Sequence, residues 1–428
     1  MSSDESMFTR ECSDLMRKLT KISAVVTGFV MAGSLAACSG GGSNENELTI
    51  WARPASVGSN VEELLAEEFP DYDITVSRIN TIDDNLRSGL RTNSNLPDVA
   101  IIGGNLPEYF EVADQFLDLN EYGFTNEQEI VEWTLPAGQD AEGHQIGLPT
   151  DIGPWGFFYR ADKVEELGYP SDPDEFASEV STLDDYEEFA QAASDSGYLA
   201  CDSPFSYYRL QLAQNHYMYF DFSDGEPKNI LDSPITEQAF MSSAGLIEDD
   251  LCANVEPYSA EWNSAVAQDS LIAFVGPGYE EGILKPAAGE DSDVWRVAQT
   301  PGGTASLTGS YSTALATSEN PDAAAEVATF LASPEAMKAA YTEQGLFPGT
   351  AALYDDEDLR AGDPFYGGQD AFGVFAEIAE NAELARAAAG GSVIESEART
   401  ALQEIADRGL DPESTFRDFI EANSDVEG

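Results

Sequence analysis

Strands and helices alternate in the segment that begins at Leu48, and this alternation constrains the fold more than any other feature of the sequence. Leu48–Trp51 is a short apolar run typical of a buried strand, and Asp73–Ile79 and Pro97–Gly103 predict two more strands. A helical pattern of apolar residues separates the first two, and a second helical stretch covers Asp83–Arg91. Strands that alternate with helices form parallel βαβ units, so the chain is predicted to be an α/β protein.

The strand ends also indicate where a ligand would bind. In open parallel sheets, ligands occupy the crevice beyond the carboxyl ends of the strands. Trp51 is the last residue of the first predicted strand, and Arg53 follows it. Asn105 follows the third predicted strand. Further along, Ser270–Gly276 predicts another buried strand, and helices predominate after Asn320.

Length and charge narrow the classes of protein further. A chain of 428 residues exceeds what one compact core usually accommodates, so two domains are expected. The sequence has 79 acidic and 20 basic residues, a net charge of −59. Such a surface repels nucleic acid, which is excluded as a partner, and an anionic ligand would have to overcome the same field.

The N-terminal region has the pattern of a secretory signal. Basic residues at Arg17, Lys18 and Lys21 precede an apolar run, 22–37, which is followed by Cys38. Leu35-Ala36-Ala37-Cys38 resembles the lipobox of bacterial lipoproteins, in which the cysteine becomes the lipidated first residue. That resemblance implies a protein anchored by acyl chains to the cell membrane, on the extracellular or periplasmic side. An ordinary cleavage site and a retained single-span anchor are the alternatives, although the run is short and Gly/Ala-rich for a membrane span.

The signal pattern divides the first 47 residues. Residues 1–37 are predicted to be the signal peptide, and 38–47 a flexible Gly/Ser/Asn-rich tether. Asp4, Glu5, Glu11 and Asp14 do not suit the basic start of a signal, so Met16 is the expected start of translation.

Two cysteines remain in the predicted mature chain besides Cys38. Cys201 and Cys252 form an even pair in an exported protein, which indicates a disulfide bond, with two buried free thiols as the alternative. The cysteines have no zinc-type spacing, and His144 and His216 are isolated, so neither a metal nor a cofactor is expected.

Several short segments, in a fixed order, resemble the extracellular solute-binding proteins of ABC importers, specifically their maltose-binding-like, carbohydrate-binding branch. Each segment alone is a weak signal, but their order spans nearly the whole chain after Leu48. The segments are Leu48–Trp51, Pro97–Val99, Gly147–Pro149, Phe158–Lys163, Ala273–Tyr279, Pro301–Gly303, Gly309–Tyr311, Ser318–Ala324 and Gly345–Pro348.

The resemblance implies a type II periplasmic-binding-protein-like fold, with two α/β lobes and a ligand cleft between them. Residues 48–152 and 304–363 would form lobe 1, and 153–303 and 364–428 would form lobe 2. The implied function is capture of a sugar or oligosaccharide by lobe closure, followed by delivery to the transmembrane subunits of an ABC permease. The sequence has no Gly-x-Ser-x-Gly elbow, His-Glu-x-x-His motif, P-loop or Ser/His/Asp pattern, so an enzyme is not expected, and the expected state is a monomer.

Sugar ligands offer apolar faces to aromatic rings and hydroxyl edges to planar polar side chains. Tyr279 stands where the family usually has a pocket tryptophan, which makes it the first candidate. Core packing is the alternative role for every candidate, and four of them, from Phe205 to Arg209, are expected in a ring-rich loop. The other candidates are Asn105, Asp151, Trp155, Tyr207, Tyr311, Trp51, Arg53, Phe205, Tyr208, Arg209 and Trp262.

Other functions remain open at this point. Adjacent tyrosines hold ferric iron in related two-lobe proteins, and Tyr207 and Tyr208 are such a pair. A surface glycosidase would need two carboxylates, and the acidic residues are too numerous for counting to exclude one. A surface sensor on the same fold is a further alternative.

Overall fold

The computed structural model describes residues 46–126, 129–215, 218–223, 227–257, 259–289, 292–383 and 385–428. The predicted signal peptide, Met16 and the lipidation candidate Cys38 lie outside the described residues. Within the described part of the chain, no helix is long and apolar enough to cross a membrane.

Strands are spread over the chain from residue 47 to residue 314. They are β1 (Glu47–Ala52), β2 (Asp73–Arg78), β3 (Val99–Ile102), β4 (Leu148–Pro149), β5 (Ile152–Arg160), β6 (Phe220–Asp221), β7 (Lys228–Asn229), β8 (Ala273–Pro277), β9 (Trp295–Gln299), β10 (Ser306–Thr308) and β11 (Tyr311–Ala314).

Helices connect the strands and make up the C-terminal part. They are α1 (Ser59–Glu68), α2 (Ile82–Thr92), α3 (Ala161–Leu167), α4 (Pro173–Glu179), α5 (Leu183–Asp195), α6 (Pro204–Gln214), α7 (Pro234–Glu248), α8 (Ala260–Ala267), α9 (Glu281–Ala288), α10 (Pro321–Leu331), α11 (Pro334–Gln344), α12 (Ala371–Asn381), α13 (Gly391–Arg408) and α14 (Pro412–Asn423). Short 3-10 helices include Leu106–Gln115 and Gly278–Glu280. The α/β prediction is confirmed.

The first sheet has the strand order β2-β1-β3-β11-β4. β1 is parallel to β2 and β3, and β11 is antiparallel to β3 and β4. All four residues of β3 are buried, because this strand lies in the middle of the sheet with helices on both faces. Val99 and Ile101 pack with Val61 and Leu65 of α1, whereas Ile102 packs on the opposite side with α2.

The second sheet is built around β5, which pairs antiparallel with β8, β9 and β10. Its alternating side chains supply two separate cores. Phe157 packs against Phe176 at 5.2 Å between ring centroids, and Phe158 stacks on Phe274 at 4.9 Å on the other face. The first sheet thus contains parallel pairs of strands, whereas every pairing of β5 in the second sheet is antiparallel.

The chain passes between the sheets at two places that are close together. β4 belongs to the first sheet and β5 to the second, so one passage lies between Pro149 and Ile152. The return lies between Thr308 and Tyr311, the end of β10 and the start of β11. The two passages are hydrogen-bonded to each other, since Thr150 donates its backbone N–H to Ser310 O at 2.8 Å.

One local prediction is wrong. The ring-rich segment from Phe205 to Arg209 is not a loop but part of α6. Ser203 is the N-cap of this helix and accepts a hydrogen bond from the backbone N–H of Phe205 at 3.2 Å, and Pro204 follows at the first helical position. The helix runs through the core of the second half, so nearly all of its side chains are buried.

The two remaining cysteines lie together. Cys201 and Cys252 are joined by a disulfide bond, with 4.5 Å between their Cα atoms. The bond ties the segment before α6 to the segment after α7.

Candidate functional site

A cavity of about 770 Å³ lies where the chain passes between the two sheets. One wall follows the ends of β1 and β3, with Arg53 and Asn105. The floor includes Asp151, and the other wall includes Arg209 and Tyr279. These five sequence-derived candidates therefore line one cleft, from both sheets and from the passage between them.

Arg53 lies across the end of β3 because there is no side chain at Gly103. A Cβ atom at residue 103 would be 2.5 Å from Nη1 of Arg53. The guanidinium is fixed by Asp83, in the first turn of α2, with Nη2 of Arg53 2.7 Å from Oδ2 of Asp83. Asp83 also accepts hydrogen bonds from Nδ2 of Asn105 at 2.9 Å and from the hydroxyl of Tyr109 at 3.2 Å.

The Asp83 carboxylate therefore organises this wall. Burial opposes its ionisation, but the hydrogen bond from Asn105 and the charge of Arg53 outweigh burial and lower the pKa of Asp83. An ionised Asp83 holds two candidate ligand-binding groups, Arg53 and Asn105, in a fixed arrangement.

Asp151 lies at the floor of the cleft and is almost completely buried. Its Oδ1 accepts a hydrogen bond from the backbone N–H of Ser310 at 3.0 Å and another from the Thr150 hydroxyl at 3.2 Å. Burial raises the pKa of Asp151, and the bonds from Ser310 and Thr150 oppose that shift. Gly309 is needed beside it, since a Cβ at that position would overlap Oδ2 of Asp151.

The opposite wall carries an arginine that is also paired. Nε of Arg209 lies 3.0 Å from Oε1 of Glu395, in the first turns of α13. The Arg209 guanidinium is 5.9 Å from the ring centroid of Trp155. Burial raises the pKa of Tyr279 to about 12, and the neighbouring charge of Arg209 opposes that shift. Tyr279 is therefore a neutral hydroxyl and an aromatic face in the cleft.

Seven other candidates do not line the cleft. Trp51 is half-buried within β1, and the remaining six are buried in the protein core. Aromatic residues stabilise a core as readily as they line a pocket, and in these cases the local structure turns the ring inward. The six buried residues are Trp155, Phe205, Tyr207, Tyr208, Trp262 and Tyr311.

The contacts of the buried rings explain their roles. Tyr207 stacks on Tyr186 with 5.0 Å between ring centroids. Tyr311 donates its hydroxyl to the carbonyl oxygen of Thr134 at 3.2 Å, and Trp262 donates Nε1–H to Asp202 at 3.2 Å. Phe205 packs beneath the guanidinium of Arg399, 4.1 Å from its ring centroid.

The tyrosine pair considered for iron is also in the core. Both rings of Tyr207 and Tyr208 are fully buried in α6, and neither lines the cleft. Within the described residues, no group of three or more His, Cys, Asp or Glu side chains could hold a metal ion.

The family follows from a sequence comparison. Residues 63–363 match the model of the family described as bacterial extracellular solute-binding protein. The chain belongs to this family. No curated protein sequence matches the solute-binding protein described above.

Solved structures share its fold. An extracellular solute-binding protein of family 1 has a TM-score of 0.79 and 24% identity, covering 89% of this chain and 99% of its own. The galacto-N-biose/lacto-N-biose I-binding protein of an ABC transporter from Bifidobacterium longum, in complex with lacto-N-biose, has a TM-score of 0.73 and 20% identity, covering 89% and 96%. An ABC-transporter-associated binding protein from B. animalis subsp. lactis, in complex with β-1,6-galactobiose, has a TM-score of 0.73 and 18% identity, covering 88% and 96%.

These findings establish the two-lobe fold and the class of function. The chain is therefore a bacterial extracellular solute-binding protein, which acts on the extracellular or periplasmic side, and its fold is that of two-lobe sugar-binding proteins.

Three further residues of the solute-binding protein line or support the cleft, although the sequence does not single them out as candidates. Asp83 lies inside a helix, and Glu395 is far from Arg209 in sequence. Gln344, at the end of α11, lines the cleft and donates Nε2–H to the carbonyl oxygen of Ala55 at 2.9 Å. An acidic residue in the first turn of α2 could have been paired with Arg53, because both follow the end of a strand.

Two buried carboxyl groups lie behind the Tyr279 wall. Asp202 accepts hydrogen bonds from the backbone N–H of Ser203 at 2.6 Å and from Nε1–H of Trp262. Burial raises the pKa of Asp202 to about 7. Burial and the charge of Asp202 raise the pKa of Glu280, which directly follows Tyr279, well above its ordinary value. Mutual repulsion keeps this pair from ionising together.

Proposed function

We propose that this solute-binding protein captures a neutral sugar or short oligosaccharide in the cleft and delivers it to the permease subunits of an ABC importer. One observation carries the proposal: Tyr279 lines the same cavity as Arg53, Asn105 and Asp151, which have planar polar side chains and come from its other walls. A ring for the apolar face of a sugar, surrounded by groups that bind hydroxyls, is the combination that a sugar needs.

The size of the cavity supports a small ligand. A volume of about 770 Å³ lies within the roughly 300–1,000 Å³ that is usual for small-molecule sites. Two structural relatives from bifidobacteria hold disaccharides, lacto-N-biose and β-1,6-galactobiose.

The charges of the cleft support a neutral ligand. Each arginine in it is paired with a carboxylate, Arg53 with Asp83 and Arg209 with Glu395. Neither guanidinium is left to balance an anionic ligand, and the net charge of −59 opposes its approach. A neutral polyhydroxylated solute avoids both costs.

We propose Tyr279, Asn105, Asp151, Arg53 and Arg209 as the residues that contact the sugar. The lobes would comprise 48–152 with 304–363 and 153–303 with 364–428. The two changes of sheet, between Pro149 and Ile152 and between Thr308 and Tyr311, support a boundary at each place. At the second place, β10 (Ser306–Thr308) still pairs with β5, so we propose that lobe 1 resumes at Gly309–Ser310 instead of residue 304.

The protein would act as a monomer tethered through a lipid on Cys38, near the permease. The pattern of basic residues, apolar run and Leu35-Ala36-Ala37-Cys38 supports this tether. An anchor at the start of a flexible segment would leave the cleft free to face the solution.

A thermal-shift screen tests the proposed ligand class. The purified protein is heated with mono- and oligosaccharides, including lacto-N-biose, β-1,6-galactobiose and maltose, and separately with ferric citrate and with amino acids. A ligand that binds the folded state at 100 times its Kd stabilises it by about 2.7 kcal/mol, so a sugar should raise the Tm clearly. A shift with ferric citrate or an amino acid and with none of the sugars would overturn the proposal.

A further inference from the structure

A direct contact joins the two walls at the mouth of the cleft. The hydroxyl of Ser392, in the first turn of α13, donates a hydrogen bond to the carboxylate of Glu108. Glu108 lies in the 3-10 helix that follows β3. Neither residue lines the main cavity, but both line a smaller cavity of about 90 Å³ beside it.

Glu108 is held in place from its own side. It forms an ion pair with Arg87 of α2, and only 11% of its side chain is exposed. The guanidinium of Arg87 also lies 5.8 Å from the ring centroid of Tyr109. The ion pair with Arg87 therefore restricts the position of the Glu108 carboxylate, which accepts the hydrogen bond from Ser392.

Each end of the contact is one turn from a residue of the cleft. Glu108 follows Asn105 by three positions, and Ser392 precedes Glu395 by three. Asn105 is bonded to Asp83, and Glu395 is paired with Arg209. The contact between Glu108 and Ser392 therefore links an element of one wall of the cleft to an element of the other.

We propose that Arg87, Glu108 and Ser392 form a rim clasp that stabilises the closed cleft and sets its affinity without touching the solute. The proposal rests on the proposed function of the cleft. A contact that is present only in the closed state shifts the equilibrium toward closure and strengthens the binding of every solute by the same factor. One hydrogen bond to a charged acceptor at an exposed rim corresponds to about three- to tenfold in that equilibrium.

The first test measures closure without ligand. Spin labels are placed on cysteines substituted at Asp84 and Glu397, two exposed positions on α2 and α13. In the clasp variants Glu108→Ala and Ser392→Ala, the label–label distance distribution should shift toward longer distances, because the open state is more populated. The matched controls Glu111→Ala and Ser396→Ala change exposed residues of the 3-10 helix Leu106–Gln115 and of α13, the elements that carry Glu108 and Ser392, and should leave the distribution unchanged. An unchanged distribution in both clasp variants would overturn the proposal, whatever ligand the protein binds.

The second test measures binding by calorimetry and stopped-flow fluorescence, with lacto-N-biose, β-1,6-galactobiose and maltose as probes. Each clasp variant should raise the Kd of every sugar that binds by a common factor of about three to ten, through faster dissociation. The double variant should be no weaker than the single ones, since the same contact is lost. A loss confined to one sugar would mean that Glu108 or Ser392 contacts the solute, and additive losses would mean that the two do not act as a pair; either result overturns the clasp. If none of the sugars binds while the ligand-free distances shift as expected, the sugar proposal fails and the clasp stands.

Discussion

The carboxylate of Asp83 fixes the guanidinium of Arg53 across the end of the central strand, with 2.7 Å between Oδ2 and Nη2. The same carboxylate holds the amide of Asn105. A residue that does not line the cleft thus determines the position of two that do.

Asp83→Asn should weaken sugar binding by about tenfold, because the neutral amide holds Arg53 less strongly and leaves a cation unpaired in the wall. The measurement is isothermal titration calorimetry with the sugar that gives the largest thermal shift. Asp84→Asn is the matched control, since the neighbouring carboxylate is exposed and should leave the affinity within twofold. Equal affinities of the two variants would refute the positioning role of Asp83.

Tyr279→Ala should weaken the preferred sugar tenfold or more, the scale of about 1.4 kcal/mol for a lost stacking contact. Calorimetry on the purified variant measures the loss. Tyr122→Ala removes a ring that is exposed and lies outside the cleft, so it should change nothing. Retained affinity in Tyr279→Ala would exclude contact between this ring and the sugar.

The buried carboxyl pair predicts how stability varies with pH. The folded state raises the pKa of Asp202 to about 7 and the pKa of Glu280 well above its usual range. A carboxyl group with a raised pKa holds its proton more tightly when folded. Its contribution to the free energy of unfolding is therefore complete below about pH 4 and is lost as the pH rises through the folded value near 7.

Glu280→Gln should remove much of this dependence. Oε2 of Glu280 has no hydrogen-bond partner within the described residues, so the amide is a fair replacement. Urea unfolding of both proteins from pH 5 to pH 8 measures the effect of the pair, because carboxylates remote from Asp202 and Glu280 cancel in the difference. The free energy of unfolding of the variant should rise relative to that of the wild type as the pH increases from 5 to 8, because only the wild type must ionise the buried Glu280. A constant difference between the two proteins would contradict the shared burial of Asp202 and Glu280.

The disulfide between Cys201 and Cys252 spans 51 positions of sequence. Replacing both cysteines with alanine should lower the free energy of unfolding by about 2–4 kcal/mol, since the unfolded chain is no longer constrained. Urea unfolding measures the loss, and the wild type in a reducing agent should lose a similar amount. Two free thiols in a non-reducing peptide map of the wild type would refute the bond.

The proposed lipid anchor has a direct test in cells. Cys38→Ala should move the protein from the membrane fraction to the soluble extracellular or periplasmic fraction, because the acylated residue is lost. Immunoblots of the two fractions measure the change against the wild-type protein, which keeps the proposed lipidation site. Unchanged membrane retention, with no acyl mass on Cys38, would refute the anchor.

The strands of the first sheet were predictable because burial leaves a local mark. β3 is a run of four buried residues, and α2 buries Ile82, Leu86 and Leu90 at helical spacing. The start of α6 has a helix start signal in Ser203 and Pro204, but the run of rings that follows does not distinguish a helix from a loop.

The cleft was predictable only in part, for a related reason. Arg53 and Asn105 follow strand ends, and the ends of parallel strands meet at one edge of a sheet. Aromatic residues such as Tyr207 and Tyr311 give no such indication, since ring type does not tell a core from a pocket. The partner of Arg209, Glu395, comes from a distant helix, and no local pattern connects the two.

Asp151 and Ser310 belong to the two passages between the sheets, and both line the cavity. These passages would be the hinge about which the two lobes rotate. A solute on the cleft floor would contact that hinge directly. A small movement of the hinge would produce a larger movement at the rim of the cleft. Solute affinity and lobe closure would therefore depend on the same residues, so that a substitution at this place would change both.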